Sequence, residues 1–173
     1  MIRLFANPMS NRSIVGHLDD SFQTLSVARL ALQHVSRYRQ STPWATEAGG
    51  QLFGTLNAAQ VCVTEASGPY AGDERSRYRF RSNPAAAQRA IEDRHKRGLL
   101  YLGEWHTHAE DYPNASGLDD DTMRRLIAGS QLNSNTLLLM IVGRARSAEG
   151  LAVWSISSEA ARRWILSESP EET

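Results

Sequence analysis

The segment Gly103 to Asp119, GEWHTHAEDYPNASGLD, gathers the side chains of this chain that could do chemistry. His106-x-His108 is followed after seven residues by Ser116, and after two more by Asp119. Two imidazoles, a hydroxyl and a carboxylate are the parts of a hydrolytic metal site that keeps one position open for water. Chance would assemble this pattern in a chain of such length on the order of once in a few thousand cases. The donor set suits zinc, a borderline-soft ion that binds tetrahedrally and acidifies the water in its fourth place. Such a site also needs a base. Glu47 opens the run Glu47-Ala48-Gly49-Gly50-Gln51-Leu52-Phe53-Gly54, a carboxylate followed by small residues that let other backbone come close. Ser116 is then available to donate its hydroxyl to a tetrahedral oxyanion.

The elements around these residues fit that use. Leu99 to Trp105 is apolar and β-prone, which puts His106 and His108 at or just past the end of a buried strand, pointing to one face. Asp111 to Gly117 is dense in turn formers, so the chain bends back. Leu118 to Ile127 has an acidic start and then apolar spacing, which reads as a helix with Asp119 on its first turn, facing the histidines.

The combination of Glu47-x-x-Gly50-x-Leu52-x-Gly54 with His106-x-His108-x7-Ser116-x2-Asp119 resembles the JAMM (JAB/MPN+) metalloprotease family. Members of that family hydrolyse isopeptide or peptide bonds at the C-terminus of ubiquitin or ubiquitin-like proteins. The flanking Gly103-Glu104-Trp105 and the compact length are most similar to the stand-alone bacterial branch. Some members of that branch lie in CBASS-like anti-phage operons, beside cGAS-like nucleotidyltransferases and ubiquitin-transfer-like enzymes. The resemblance runs from the first helix to the last strand, although only the two motifs are strongly specific.

This resemblance implies an α/β fold of the MPN/JAB (cytidine-deaminase-like) type, a curved mixed β-sheet flanked by helices. It implies one zinc ion held by His106, His108 and Asp119, with Glu47 moving the proton of the attacking water and Ser116 on the oxyanion. The implied activity is that of a zinc-dependent isopeptidase or peptidase. The implied partner is a ubiquitin-like protein or its conjugate, with a conjugating enzyme or a cGAS-like nucleotidyltransferase conjugate of the same operon as further candidates. A substrate tail is expected to lie along an exposed strand, its small residues close to Gly49 and Gly50. One departure is Ala109, where many relatives carry proline; no ligand is lost there, so loop stiffness rather than chemistry should change.

Taken singly, each of these residues has a plainer reading. His17, His34 and His95 read as surface or satisfied core histidines, Asp119-Asp120-Asp121 as a helix start, Glu47 as a solvated carboxylate, and Ser116 as a turn former. Together and in this order the catalytic reading prevails. Three rivals keep their place: a processing protease that matures a sulfur-carrier or ubiquitin-like precursor, a cell-wall or phage-tail hydrolase, and a non-catalytic MPN scaffold. The intact ligand set speaks against the scaffold.

With 41% hydrophobic residues, the chain reads as one domain, its core spanning about residues 22 to 166. Nineteen basic and 19 acidic residues cancel, so no general attraction to nucleic acid or membrane is expected. The single cysteine, Cys62, excludes an internal disulfide framework and fits a reducing, cytoplasmic setting as a small core residue. No apolar run reaches membrane-spanning length, and Met1 to Phe5 lacks the apolar core of a signal peptide.

The remaining elements follow from pattern. Ile2 to Phe5 reads as a short strand and Asn7 to Asp20 as polar and turn-rich. A helix capped by Ser26 carries Val27, Leu30, Ala31 and Val35. Trp44 reads as a packing residue or as a wall of the substrate groove. Gln51 to Leu56 and Gln60 to Glu65 form a hairpin, followed by a mobile loop over Ala66 to Asp73. Arg75 to Arg81 alternates strictly, so a strand there would carry four arginines on one face. That face is read as solvated, or else as a contact for an acidic patch or a phosphate. Asn83 caps a helix over Pro84 to Arg97 that Gly98 closes. Thr136 to Val142 and Leu151 to Ile156 read as strands, Ser158 as the cap of a last helix through Leu166, and Ser167 to Thr173 as a frayed end.

Overall fold

Residues 12–130 and 134–169 are described by a computed structural model, and the strand expected over Ile2 to Phe5 lies outside them. In chain order the elements are β1 (Ser13–His17), β2 (Thr24–Val27), α1 (Arg29–Ser36), β3 (Gly49–Leu56), β4 (Gln60–Ala66), β5 (Glu74–Ser76), β6 (Arg79–Arg81), α2 (Pro84–Lys96), β7 (Leu100–Thr107), α3 (Gly117–Gly129), β8 (Thr136–Val142), β9 (Leu151–Ser157), β10 (Ala161–Arg163) and β11 (Ile165–Ser169). Nine strands form one mixed sheet in the order β10-β9-β8-β7-β3-β4-β2-β1-β11, and β5 and β6 pair separately. The β2–β4 and β7–β8 pairs are parallel and the others antiparallel. Only Trp164 separates β10 from β11, yet these strands occupy opposite edges, so the sheet curls until it is nearly closed. Trp164 is buried at this corner, its indole N–H donating to Ser155 Oγ at 2.8 Å.

The curl encloses the main core. Ile14, Leu25, Val27, Val63, Leu102, Trp105, Leu138, Met140 and Val153 meet Ala31, Leu32 and Val35 of α1 there. A second cluster on the outer face packs Met123 of α3 on Leu137, Leu139, Ile141, Ala152 and Ile156. Both faces of β8 are thereby covered, which is why its sequence is continuously apolar. On β7 the inward face holds Leu102, Trp105 and Thr107, and the outward face turns Glu104 and His106, with His108 just past the strand, toward a cleft between α2 and α3.

Two glycines allow the strands around this cleft to close up. A Cβ on Gly103, which has φ of +152°, would lie 1.9 Å from the Leu138 carbonyl oxygen of β8. A Cβ on Gly50 would lie 1.9 Å from the carbonyl oxygen of Ser67. Helix α2 has the expected ends: Asn83 accepts from the N–H groups of Ala85 and Ala86, and Gly98, at φ +81°, ends it with its N–H on the His95 carbonyl. The hairpin of β3 and β4 around Asn57 is also present, with Asn57 Oδ1 accepting from Ala59 and Gln60.

Several local expectations give way to long-range pairing. The last helix is absent, and β10 and β11 occupy its place. Ser157 Oγ accepts from the N–H groups of Glu159 and Ala160 to make a tight turn, and Arg124 Nη1 takes the Ser157 and Ser158 carbonyls. Ser167 to Ser169 does not fray, because β11 pairs with β1. That same pairing turns the polar stretch before Asp20 into β1. Ser26 caps no helix: it lies in β2, and α1 starts from Ala28 without a side-chain cap. Arg75 to Arg81 is a hairpin rather than one strand. Asp73 accepts from Tyr70 N–H and Asn83 N–H, each at 2.6 Å, and this tie at its base forces the intervening chain to double back. Arg79 and Arg81 share one face of β6, but Arg75 pairs with Phe80 on the other, so the four arginines form no single row. The loop before it is tied as well, through Tyr70 Oη to Gln51 Oε1 at 2.6 Å and Trp105 Nε1 to the Ser67 carbonyl at 2.9 Å.

Candidate metal and catalytic site

His106 lies near the end of β7 and His108 one residue beyond it, so alternation turns both rings outward. Trp105 and Thr107, buried on the inward side, hold that parity. Thr107 is fixed further: its N–H donates to the Ala48 carbonyl at 2.8 Å and its Oγ1 accepts from Ala48 N–H at 3.0 Å. Buried Gln40 accepts from Thr107 Oγ1 and donates to the carbonyls of Ala45 and Arg77. Gln40 thus clamps the loop before Glu47 to β7, a function that no pattern in the sequence announces.

Asp119 comes from the first turn of α3. Ser116 is the N-cap: its Oγ accepts from Asp119 N–H at 3.2 Å, and Asp119 Oδ2 accepts from Ser116 N–H at 2.7 Å. This reciprocal cap fixes the carboxylate over the histidines. His106 Nε2 lies 3.1 Å from Asp119 Oδ1, His108 Nε2 lies 3.6 Å from Asp119 Oδ2, and the two Nε2 atoms are 3.1 Å apart. The edges of a tetrahedral site with zinc-like bonds measure ~3.3 Å, so these donors fit such an ion. Among the described residues they form the one group of three or more His, Cys, Asp or Glu side chains able to hold a metal.

The electrostatics favour the same use. Burial and the neighbouring His106 lower the His108 pKa, against the opposing pull of Asp119 and Glu110, which keeps the ring neutral as a ligand must be. Burial alone would raise Asp119, but hydrogen bonding and charge from His106 and the bonds from Ser116 outweigh it and hold the carboxyl well below the usual range. Glu47 is 7% exposed, and burial pushes it up to about 7, a rise that His106 opposes and Asp119 reinforces. A carboxyl so poised can take a proton and give it back near neutrality. Glu47 is held by its backbone: its N–H donates to the Ser76 carbonyl at 2.7 Å and its carbonyl accepts from Arg75 Nε at 2.6 Å. Register pairing of Gly49 with His106 sets it beside the metal ligands.

All five residues singled out in the sequence, Glu47, His106, His108, Ser116 and Asp119, line one cleft of about 770 Å³. Ser116 differs in detail from the expectation, because its hydroxyl donates to Asp119 Oδ2 at 2.7 Å. The space at Gly49 and Gly50, expected to receive a substrate tail, is filled by the Phe80 ring and the Ser67 carbonyl. Trp44 is 81% exposed and is not part of the cleft lining. Further polar residues line it, among them Gln51, Glu104, Arg79, Arg81, Glu110 and Arg125. Glu104 shares strand parity with the histidines, and that alternation was its available signal. No helix among the described residues is long and apolar enough to cross a membrane.

Comparison with known proteins adds to this geometry. Residues 26–163 match the family described as prokaryotic homologs of the JAB domain. A Pseudomonas aeruginosa protein named CD-NTase/cGAS isopeptidase is 34% identical over 129 residues, covering 73% of this chain and 81% of the relative. Proteins of the same name from Escherichia coli, 28% identical with the same coverage, and from Vibrio cholerae, 36% identical over 62% of this chain and 68% of the relative, are also similar. A solution structure of a Desulfitobacterium hafniense protein superposes with a TM-score of 0.58 over 79% of this chain and 87% of that one, at 18% identity, which shows a shared fold.

Proposed function

Because the chain belongs to the family of prokaryotic homologs of the JAB domain, we propose that it is a zinc-dependent isopeptidase that releases the C-terminus of one protein from an amine of another. The observation that carries this reading is the buried carboxylate of Glu47 beside three converging donors in an open cleft. The relatives' printed name favours a CD-NTase/cGAS conjugate as substrate. A ubiquitin-like protein joined to its target would present the same bond, and a bacterial conjugation or anti-phage defence setting in the cytoplasm accords with either.

His106, His108 and Asp119 would hold the ion. Zinc, when bound, supplies a Lewis acid for the carbonyl oxygen and acidifies water. Glu47 accepts a proton from the attacking water as its oxygen adds to the carbonyl carbon. The carbon–nitrogen bond then breaks, and Glu47 returns the proton to the leaving amine, giving a carboxylic acid and a free amine. The Ser116 hydroxyl donates to Asp119 Oδ2 and so holds that carboxylate; rotated about its χ1, the same hydroxyl would serve the oxyanion. The acyl component is seated along β6, whose residues Arg79 to Arg81 line the cleft and which pairs only with β5 among the described residues.

The test is cleavage of CD-NTase conjugates and ubiquitin-like fusions by the metal-loaded protein and by Glu47→Gln. We expect the variant to keep about one zinc and to lose ~10²- to 10⁴-fold in kcat. Cleavage of linear fusions alone would favour the processing protease. Absence of zinc from the wild-type protein would favour the scaffold.

A further inference from the structure

Past the end of α1 the chain turns through Arg37 and Tyr38 to Arg39, whose Nε donates to the Gly143 carbonyl at 3.1 Å. Its Nη1 and Nη2 atoms are buried and have no hydrogen-bond partner. These two nitrogens carry all but one of the guanidinium N–H groups. Ser36 Oγ, on the last turn of α1, is buried and unpartnered as well, so unused polar groups gather at this end of the helix. A guanidinium withdrawn from water is costly unless an acceptor takes the place of that water.

The charge that reaches Arg39 sharpens the need. Burial lowers its pKa, and the neighbouring cation of Arg146 pushes in the same direction. Neither arginine has an ion-pair partner among the described residues. Arg146 is exposed on the loop between β8 and β9. The base of that loop is closed by Gly143 N–H on the Gly150 carbonyl at 2.7 Å, and the N–H groups of Arg144 and Ala145 hold it to the carbonyls of Glu110 and Asp111. Arg144 is already paired, with Asp111 at 2.9 Å. At the tip, the N–H groups of Arg146 and Ser147 make no backbone hydrogen bond among the described residues. Two like charges beside unused N–H donors suit an oxyanion. A single negative charge would leave the pair of arginines in excess, whereas a phosphate dianion matches both and offers oxygens to each guanidinium fork. Arg39, Gly143 and Arg146 all lie outside the lining of the metal cleft.

We propose that Arg39 and Arg146 form a binding site for a phosphate group, as the free ion or as a small phosphate monoester, separate from the metal cleft. Arg39 Nη1 and Nη2 donate to oxygens of the anion from within, and the long side chain of Arg146 closes over it from the loop tip. The anion thereby ties the β8–β9 loop to the end of α1.

Inorganic phosphate, phenyl phosphate and acetate would be titrated calorimetrically into the whole chain, zinc-loaded and chelator-treated, and into Arg146→Ala and Arg39→Met. Amide exchange would be followed with and without inorganic phosphate. Phosphate should bind saturably whether or not zinc is present, with acetate about tenfold weaker or more. Arg146→Ala, a change at an exposed position, should weaken phosphate about tenfold, and Arg39→Met should remove saturable binding. Should Arg39→Met fail to fold, Arg146→Ala decides alone. Phosphate should slow exchange at Arg37 to Gln40 and at Gly143 to Gly150. Phenyl phosphate bound as tightly as phosphate supports the site with a monoester as its ligand, and its exclusion supports the site with the free ion. Absence of saturable phosphate binding, unchanged binding in Arg146→Ala, acetate bound as tightly as phosphate, or slowing confined to His106 to Asp119 overturns the proposal.

Discussion

Glu47 shows how one residue can be costly to the fold and useful to the chemistry. Burial raises its carboxyl from an ordinary 4.5 to about 7, so in the metal-free protein the folded state prefers the protonated form. Below pH ~4.5 both folded and unfolded chains are protonated and no penalty exists. As pH rises toward 7 the unfolded chain ionises first, and the penalty grows to ~3 kcal/mol above that pH. Glu47→Gln should therefore raise the metal-free Tm at pH 8 and leave it unchanged at pH 4; an equal effect at both would show that ionisation is not the cause. Ser116 separates differently. Ser116→Ala removes the α3 cap, at a cost of ~1 kcal/mol, and also the donor proposed for the oxyanion. A fall in kcat with zinc affinity and Tm nearly intact would assign it to the oxyanion, whereas weaker zinc binding would assign it to holding Asp119.

At the scale of elements, the site depends on how closely β7 approaches its neighbours. Gly103 faces β8 where a methyl group would overlap the Leu138 carbonyl, and its backbone has a positive φ. Gly103→Ala should destabilise the protein by more than ~3 kcal/mol and shift His106 and His108 together, since both ride on the same strand. Denaturant unfolding and zinc titration of the variant would check the two effects. The β5–β6 hairpin is a second dependent element. Its base is tied by Asp73, Phe80 packs on Gly49, and Arg75 reaches back to the Glu47 carbonyl, so the wall of the cleft and the position of the base are built by one short segment.

Across the whole molecule, the metal would join parts of the chain that are otherwise held by separate packing. His106 and His108 belong to the central sheet, and Asp119 belongs to α3, which rests on β8 and β9 through the smaller apolar cluster. Zinc would thus clamp α3 to the sheet and close the intervening loop. Chelation should lower Tm, by ~3 to 4 kcal/mol of lost stabilisation where free zinc exceeds its Kd a hundred- to a thousandfold. Amide exchange should rise most in the loop before α3 and in its first turn. A uniform rise throughout the sheet would mean that the ion is needed for the fold as a whole.

By itself the sequence determined whatever depends on near neighbours along the chain. Alternation and apolar runs marked β3, β4, β7, β8 and β9, and the Asn83 and Gly98 signals bounded α2, because strand parity and helix caps are set within a few residues. The same local geometry made the meeting of His106, His108 and Asp119 readable from their spacing, and the JAB-type fold followed from resemblance in the two motifs. Only the tertiary structure decided between states that local preference leaves close in energy. The stretch from Ser158 to Leu166 could have been helical, but two strand edges claimed its backbone and Arg124 took the carbonyls of Ser157 and Ser158. The arginine-rich segment alternates like one strand, but Asp73 tied its ends together. Gln40 and Gln51 carry no local signal, since their ties to Arg77, Thr107 and Glu104 join parts of the chain far apart in sequence, and burial of Glu47 is likewise a property of the assembled walls around it.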